Sequence, residues 1–279
     1  MPRARNDAVE IEFETFGDAG GEAVLLINGL GSQMTRWPEA FCAPLVARGL
    51  YPIRFDNRDT GLSTWCEGQS YTVDDMAADA AAVLEAAGKT RAHIVGVSMG
   101  GMIAQVFAAA YPAKTLSLTS IMSNTGYPDL PPPNVALLNT RPLDPADPGF
   151  IADTVARAEA IGSPGYPWPP GALAARARAE ADRAFNPPGV RRQMDAVGAT
   201  GDRRARLATI TAPTMVLHGE ADPLVPVAGG RDTAENIPGA ELRIVPGMGH
   251  DLPPALYDIF IETISRAIER AHESAGMGA

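Results

Sequence analysis

The chain is most constrained by the stretch Arg91-Ala92-His93-Ile94-Val95-Gly96-Val97-Ser98-Met99-Gly100-Gly101. A short β-branched run, Ile94, Val95 and Val97, leads into Ser98, and Gly96 and Gly100 flank that serine two residues to each side. An amphipathic helical stretch, Met102 to Ala110, follows at once. Strand, sharp turn and helix in so short a span form the setting in which Gly-x-Ser-x-Gly acts as a nucleophile elbow. The serine must take a strained backbone conformation at the tip of the turn, and small neighbours let strand and helix approach closely enough for that. The turn then holds Oγ out of the sheet and aims the first amides of the helix at the same point.

The rest of the first half repeats this alternation, the pattern of a mostly parallel sheet. Val9 to Phe16 alternates polar and apolar residues and suits an edge strand in a hairpin. Ala23 to Ile27 is a buried-type strand ending in Asn28-Gly29-Leu30-Gly31. A helix is expected over Pro38 to Arg48, a strand over Tyr51 to Phe55, a helix over Val73 to Ala87 and a strand over Leu116 to Met122. From Ser123 to Thr211 prolines cluster at 128–133, 142–148 and 164–170, with helix-prone stretches at Phe150 to Ile161, Ala172 to Phe185 and Val190 to Val197. Such proline density breaks regular sheet and favours short helices joined by stiff connections. The α/β pattern resumes with strands at Thr214 to His218 and Glu241 to Val245 and a terminal helix from Pro254 to Ala271. The expected organisation is an α/β core, residues 1–122 and 212–279, carrying an inserted helical cap, 123–211.

A formal charge of −10 and a pI of about 4.9 argue against nucleic acid or an anionic membrane as a partner. Cys42 and Cys66 form no Cys-x-x-Cys pair, and the first residues contain no apolar signal core. A reducing, cytoplasmic setting is expected.

A serine hydroxyl is a weak nucleophile until a base takes its proton, and that base needs an orienting carboxylate. Of four histidines, His93 lies at the end of the elbow strand facing away from Ser98, His218 near the end of an apolar strand where a structural role fits, and His272 in the polar tail. His250, bracketed by glycine in Pro246-Gly247-Met248-Gly249-His250-Asp251, follows the last strand and is the expected base. Asp222, on the loop after the preceding strand, is the expected carboxylate; Glu220 is its near competitor, and Asp251 reads as a helix cap. All three expected triad members fall beyond the carboxyl ends of strands, where open α/β sheets gather function. The developing oxyanion needs amide donors, and Met99 and Leu30 are the expected pair.

With these residues in place the chain resembles the α/β-hydrolase fold superfamily of esterases, lipases and epoxide hydrolase-like enzymes. Arg54-Phe55-Asp56-Asn57-Arg58-Asp59-Thr60-Gly61-Leu62-Ser63 and Pro246 to Pro253 resemble its aclacinomycin methylesterase-like branch. Asn28 stands where many relatives carry histidine, and Asp56 to Ser63 reads as a turn bracing the oxyanion loop. The implied fold is a mostly parallel central sheet flanked by helices, with the insertion as a lid. Relatives with aspartate or cysteine at the elbow do other chemistry, so Ser98 points to acyl transfer. The expected activity is hydrolysis of small to medium apolar carboxylic esters through a covalent acyl-enzyme, with Trp168, Phe150, Tyr166, Phe185 and Met194 offered as pocket lining. A carbon–carbon bond hydrolase or a perhydrolase/haloperoxidase-type enzyme could use the same triad, and a non-catalytic ligand receptor could use the same fold. The reading calls for no cofactor and no metal, takes a small-molecule ester as partner, and leaves a homodimer open.

Overall fold

The computed structural model describes residues 1–138 and 143–276, so Pro142 of the second proline cluster lies outside the described residues. Among the described residues, eight strands form one sheet in the order β1-β2-β4-β3-β5-β6-β7-β8. They are β1 (Arg3–Asn6), β2 (Val9–Thr15), β3 (Glu22–Ile27), β4 (Leu50–Phe55), β5 (Ala92–Val97), β6 (Thr115–Ile121), β7 (Thr214–Gly219) and β8 (Glu241–Val245). β1 and β2 run antiparallel to their neighbours, and β4 through β8 with β3 pair in parallel. The fold is the expected α/β one.

The parallel strands β3, β4, β5 and β7 are buried on both faces because helices cover both. On one side α1 (Glu39–Val46) and the long α9 (Tyr257–Gly276) bury Phe41, Leu45, Phe260 and Ile264 against Val24, Leu26 and Val95. On the other, α2 (Val73–Ala86) and α3 (Met99–Ala110) bury Met76, Leu84, Ile103 and Phe107 against Leu25, Ile53 and Ile94. Successive strand residues thus serve opposite layers, as a period of two requires. α2 opens on a capping box, in which Thr72 and Asp75 satisfy each other's backbone N–H.

Between β6 and β7 the chain carries α4 (Phe150–Ala160), α5 (Ala172–Arg183), α6 (Pro187–Thr200) and the single turn α7 (Arg204–Leu207), and α8 (Ala228–Asn236) joins β7 to β8. Two prolines open α6, where their missing N–H groups would be unpaired anyway. At the end of this segment α7 packs on α3 and α8, and Leu207 and Ile210 enter the core.

Three local expectations change. β2 is not the edge strand, since β1 pairs outside it. Helix α3 starts at Met99, immediately after Ser98, rather than at Met102. Neither β1 nor α8 carries a sequence signal: β1 offers a single buried residue, Ala4, and α8 contains two glycines and little apolar surface.

Candidate active site

The elbow is built by close approach. A Cβ on Gly96 would sit 2.0 Å from the Gly100 carbonyl oxygen, and one on Gly100 would sit 2.2 Å from that of Ile27. Only hydrogen fits at either position, so strand β5, helix α3 and the end of β3 converge there. Ser98 takes φ 56° and ψ −121°, a conformation that costs a non-glycine residue about 1–3 kcal/mol. Its N–H donates to the Ile121 carbonyl at 2.9 Å, which pins the turn to β6.

Asp222 and His250 reach this point from loops after β7 and β8, beyond β6 in the sheet. His250 Nδ1 lies 2.7 Å from Asp222 Oδ2, and its Nε2 lies 2.9 Å from Ser98 Oγ. Asp222 is buried; its Oδ1 accepts from the Leu224 and Val225 amides at 2.9 and 2.8 Å. Burial alone would raise this carboxyl, but hydrogen bonds from His218, His250 and the Val225 amide outweigh it and hold the pKa at about 2. An ionised Asp222 fixes the tautomer: Nδ1 must carry the proton and donate, which leaves the Nε2 lone pair to accept from the serine hydroxyl. Glu220 is exposed on the loop surface and takes no part.

His218, expected to be structural, is also part of this environment. Its Nε2 donates to the Val225 carbonyl at 2.9 Å and stands 3.5 Å from Asp222 Oδ2, so it braces the loop that presents the carboxylate. The four-residue spacing of His218 and Asp222 was visible in sequence, but their approach depends on how the loop turns. Leu30 and Met99 both flank the site. Among the described residues neither backbone amide donates to a protein acceptor, while the next amide along, Gly31 N, is taken by Gln193 Oε1 at 2.8 Å.

Comparison with known proteins identifies the family of the chain. A family model described as the alpha/beta hydrolase family matches residues 24–258. The chain belongs to that family. Rhodomycin D methylesterase DnrP of Streptomyces peucetius is 31% identical over 278 residues, spanning 91% of this chain and 93% of the relative. The resemblance to the aclacinomycin methylesterase-like branch therefore holds, as does the esterase class of the enzyme. Among solved structures, the N-acyl homoserine lactone degrading enzyme Est816 is 27% identical, with a TM-score of 0.71 over 94% of this chain and 99% of its own. A meta-cleavage product hydrolase from Pseudomonas fluorescens IP01 superposes with a TM-score of 0.78 over 97% of this chain and 98% of its own, at 19% identity. That last likeness is one of fold alone.

Above the Ser98 of this α/β hydrolase opens a cavity of about 520 Å³, walled by core loops and by α4 and α5. Trp168 lines it as expected, but Phe150, Tyr166, Phe185 and Met194 do not. Phe150 and Phe185 instead stack edge to face at 5.7 Å, and Tyr166 packs against the buried cluster that includes Met248. Three arginines enter the cavity wall. Arg36 pairs with Glu180 through Nε and NH2 at 2.5 and 2.9 Å, and Arg157 pairs with Asp153 at 2.8 Å. Arg176 makes no ion pair among the described residues; its guanidinium lies 4.6 Å from the Trp168 ring centre, and burial, helped by Arg36, lowers its pKa to about 10.

The segment 123–211 is clasped to the core on both sides of the cavity. On one side Arg183 pairs with Asp56 at 2.6 Å, Arg192 grips Asp59, and Gln193 Nε2 donates to the Arg58 carbonyl at 2.8 Å. Asp56 in turn accepts from the Met34 amide at 2.7 Å, and Asn57 Nδ2 donates to the Asn28 carbonyl at 3.0 Å. The Asp56–Ser63 turn thus braces the loop that begins at Asn28, and it also anchors the segment between β6 and β7. On the other side the His250 amide donates to the Ile161 carbonyl at 2.7 Å and the Gly249 amide to Ser163 Oγ at 2.8 Å. Asp251 is not a helix cap: its carboxylate accepts from Ser163 Oγ and, at 2.7 Å, from Trp168 Nε1.

Proposed function

We propose that this α/β hydrolase cleaves carboxylic esters through a covalent acyl-enzyme, with Ser98 as nucleophile, His250 as general base and acid, and Asp222 as the orienting carboxylate. Residues 123–211 serve as its cap over a core of 1–122 and 212–279. His250 Nε2 takes the Ser98 proton as Oγ attacks the ester carbonyl, and the carbonyl oxygen becomes an oxyanion received by the Leu30 and Met99 amides. The imidazolium, stabilised by ionised Asp222, returns that proton to the leaving alcohol. Water then enters, gives its proton to His250, and attacks the acyl-serine; collapse releases the acid and restores Ser98.

The observation that carries this reading is the unbroken series Ser98 Oγ, His250 Nε2, His250 Nδ1, Asp222 Oδ2 at 2.9 and 2.7 Å. Ester hydrolysis is favoured over carbon–carbon cleavage because the methylesterase relative is similar at 31% identity, whereas the meta-cleavage hydrolase shares the fold at 19%. The cavity suits a medium-sized, largely apolar ester, and Arg176 adds a preference for an oxygen-bearing or anionic group away from the scissile bond. The chemistry uses residues of one chain, so a homodimer is compatible but supplies nothing to it, and no cofactor is called for. Cys42 and Cys66 are buried free thiols, which suits a cytoplasmic setting. No helix among the described residues is long and apolar enough to cross a membrane.

The test is hydrolysis of p-nitrophenyl esters across acyl lengths by the intact protein and Ser98→Ala. Turnover that falls by about 10⁴-fold or more in a folded variant supports the reading. A folded intact protein that ignores every ester but cleaves a vinylogous diketone would move it to carbon–carbon hydrolysis. Tight ligand binding with no turnover, unchanged in Ser98→Ala, would make it a receptor.

A further inference from the structure

We propose that Glu22, His93 and His272 form a binding site for a divalent transition metal, zinc above all, at the end of the sheet opposite Ser98. Glu22 is the first residue of β3, His93 the second of β5, and His272 lies on α9. Their ligand atoms all fall within 4.8 Å of one another. His272 Nε2 is 2.8 Å from Glu22 Oε2, and His93 Nε2 is 3.6 Å from that same oxygen. Ligand atoms about 2.0–2.1 Å from a tetrahedral zinc stand about 3.3 Å apart, so small side-chain adjustments would close the set around an ion. A water would complete the fourth position.

The decisive residue is His93. It is 1% exposed, and its Nε2 has no hydrogen-bond partner although it points at the Glu22 carboxylate. Its other nitrogen, Nδ1, is engaged by Ser117 Oγ on β6 at 2.8 Å, which locks the ring with Nε2 turned toward the cluster. An outer hydrogen bond of this kind is what metal-ligating histidines need to fix ring orientation. His93 Nε2 is buried without a partner beside the Glu22 carboxylate, and a cation between them would satisfy both groups. Two imidazoles and one carboxylate form a donor set that suits zinc, copper or nickel and not magnesium or calcium. The three residues are too far apart in the chain for any spacing motif to announce them. An ion held there would tie the end of α9 to two central strands.

The experiment titrates the chelator-treated full-length chain with zinc chloride by calorimetry, and repeats the thermal unfolding with and without zinc. Glu22→Gln and His272→Ala serve as variants, since both side chains are exposed and the fold should survive their loss. We expect one zinc per chain, binding at least tenfold weaker in either variant, and a zinc-induced rise in Tm that both variants lose. Cobalt chloride should give the visible absorption of a low-coordinate site in the parent only. Absence of zinc binding by the parent overturns the proposal. So does equal binding by His272→Ala, which would place the ion elsewhere, at His250 and Asp222 for example.

Discussion

Ser98 and His250 meet at 2.9 Å, yet they are held by opposite kinds of structure. Ser98 is positioned by its own neighbours: a strand before it, a helix after it, and glycines whose missing side chains let the backbones touch. His250 sits on an irregular loop whose amides are taken by Ile161 and Ser163, and whose next residue, Asp251, is held by Ser163 and Trp168. All three of those partners belong to the inserted segment. One half of the site is therefore local and rigid, and the other borrows its order from a segment that also forms the cavity wall. Under the proposed mechanism, substrate contact with that wall should affect the placement of His250.

The largest effect should come from the bond that orients the base. Asp222→Asn is expected to lower kcat by about 10⁴-fold, because an amide in that place accepts less well from Nδ1 and permits the wrong tautomer. Steady-state ester kinetics on the folded variant would check it, and a loss under tenfold would mean that the loop contacts alone orient His250. On the Ser98 side the vulnerable property is folding. Gly96→Ala forces a methyl into backbone atoms of Gly100 with nothing flexible to yield, and should cost about 3 kcal/mol or more in urea unfolding. A near-neutral result would show that the elbow is less rigid than its partner loop.

A smaller and more discriminating effect is expected at Ser163. Ser163→Ala leaves the buried Gly249 amide without its acceptor and removes a donor to Asp251. We expect kcat to fall about tenfold with KM for a small ester nearly unchanged, measured beside Tm to separate misplacement from unfolding. A change in KM alone would mean that the segment shapes the pocket and not the base.

Acid should act on the two halves unequally. Gly96 to Gly101 contains no titratable group, whereas Asp222 titrates at about 2 against an ordinary 3.8. A carboxyl whose folded pKa is depressed supplies stability above its unfolded pKa and loses it as pH falls through the folded value. The contribution, on the order of 2 kcal/mol, should be complete above about pH 4 and disappear toward pH 2. Urea unfolding between pH 6 and 2.5 should show this slope in the parent and a flatter one in Asp222→Asn.

Much of this hydrolase is legible in one dimension. Continuous apolar runs announce β3, β5 and β7, and the turn residues after them announce where chemistry gathers, so Ser98, Asp222 and His250 stand out as candidates before any contact is known. The signal fails where a residue's role comes from a distant partner. Asp251 reads as a cap because capping is what an aspartate before a helix usually does; its bonds to Ser163 and Trp168 cross more than 80 residues of chain. Phe150, Phe185, Tyr166 and Met194 read as pocket lining by type, but packing directions turn them away from the cavity. Arg176 and the Glu22, His93 and His272 group had no local signature either.

By itself the sequence determined the alternation of strand and helix, the strained turn at Ser98, and the order of the three chemical residues along the chain. These follow from side-chain volume, backbone freedom and hydrophobic period, all of which act over a few residues. Tertiary structure alone decided which surface faces Ser98, how the segment between β6 and β7 grips Asp56, Asp59 and the His250 loop, and that Arg176 finds no ion pair among the described residues. Those outcomes depend on pairing buried polar groups that lie scores of residues apart, and that pairing is chosen only when the whole chain has closed.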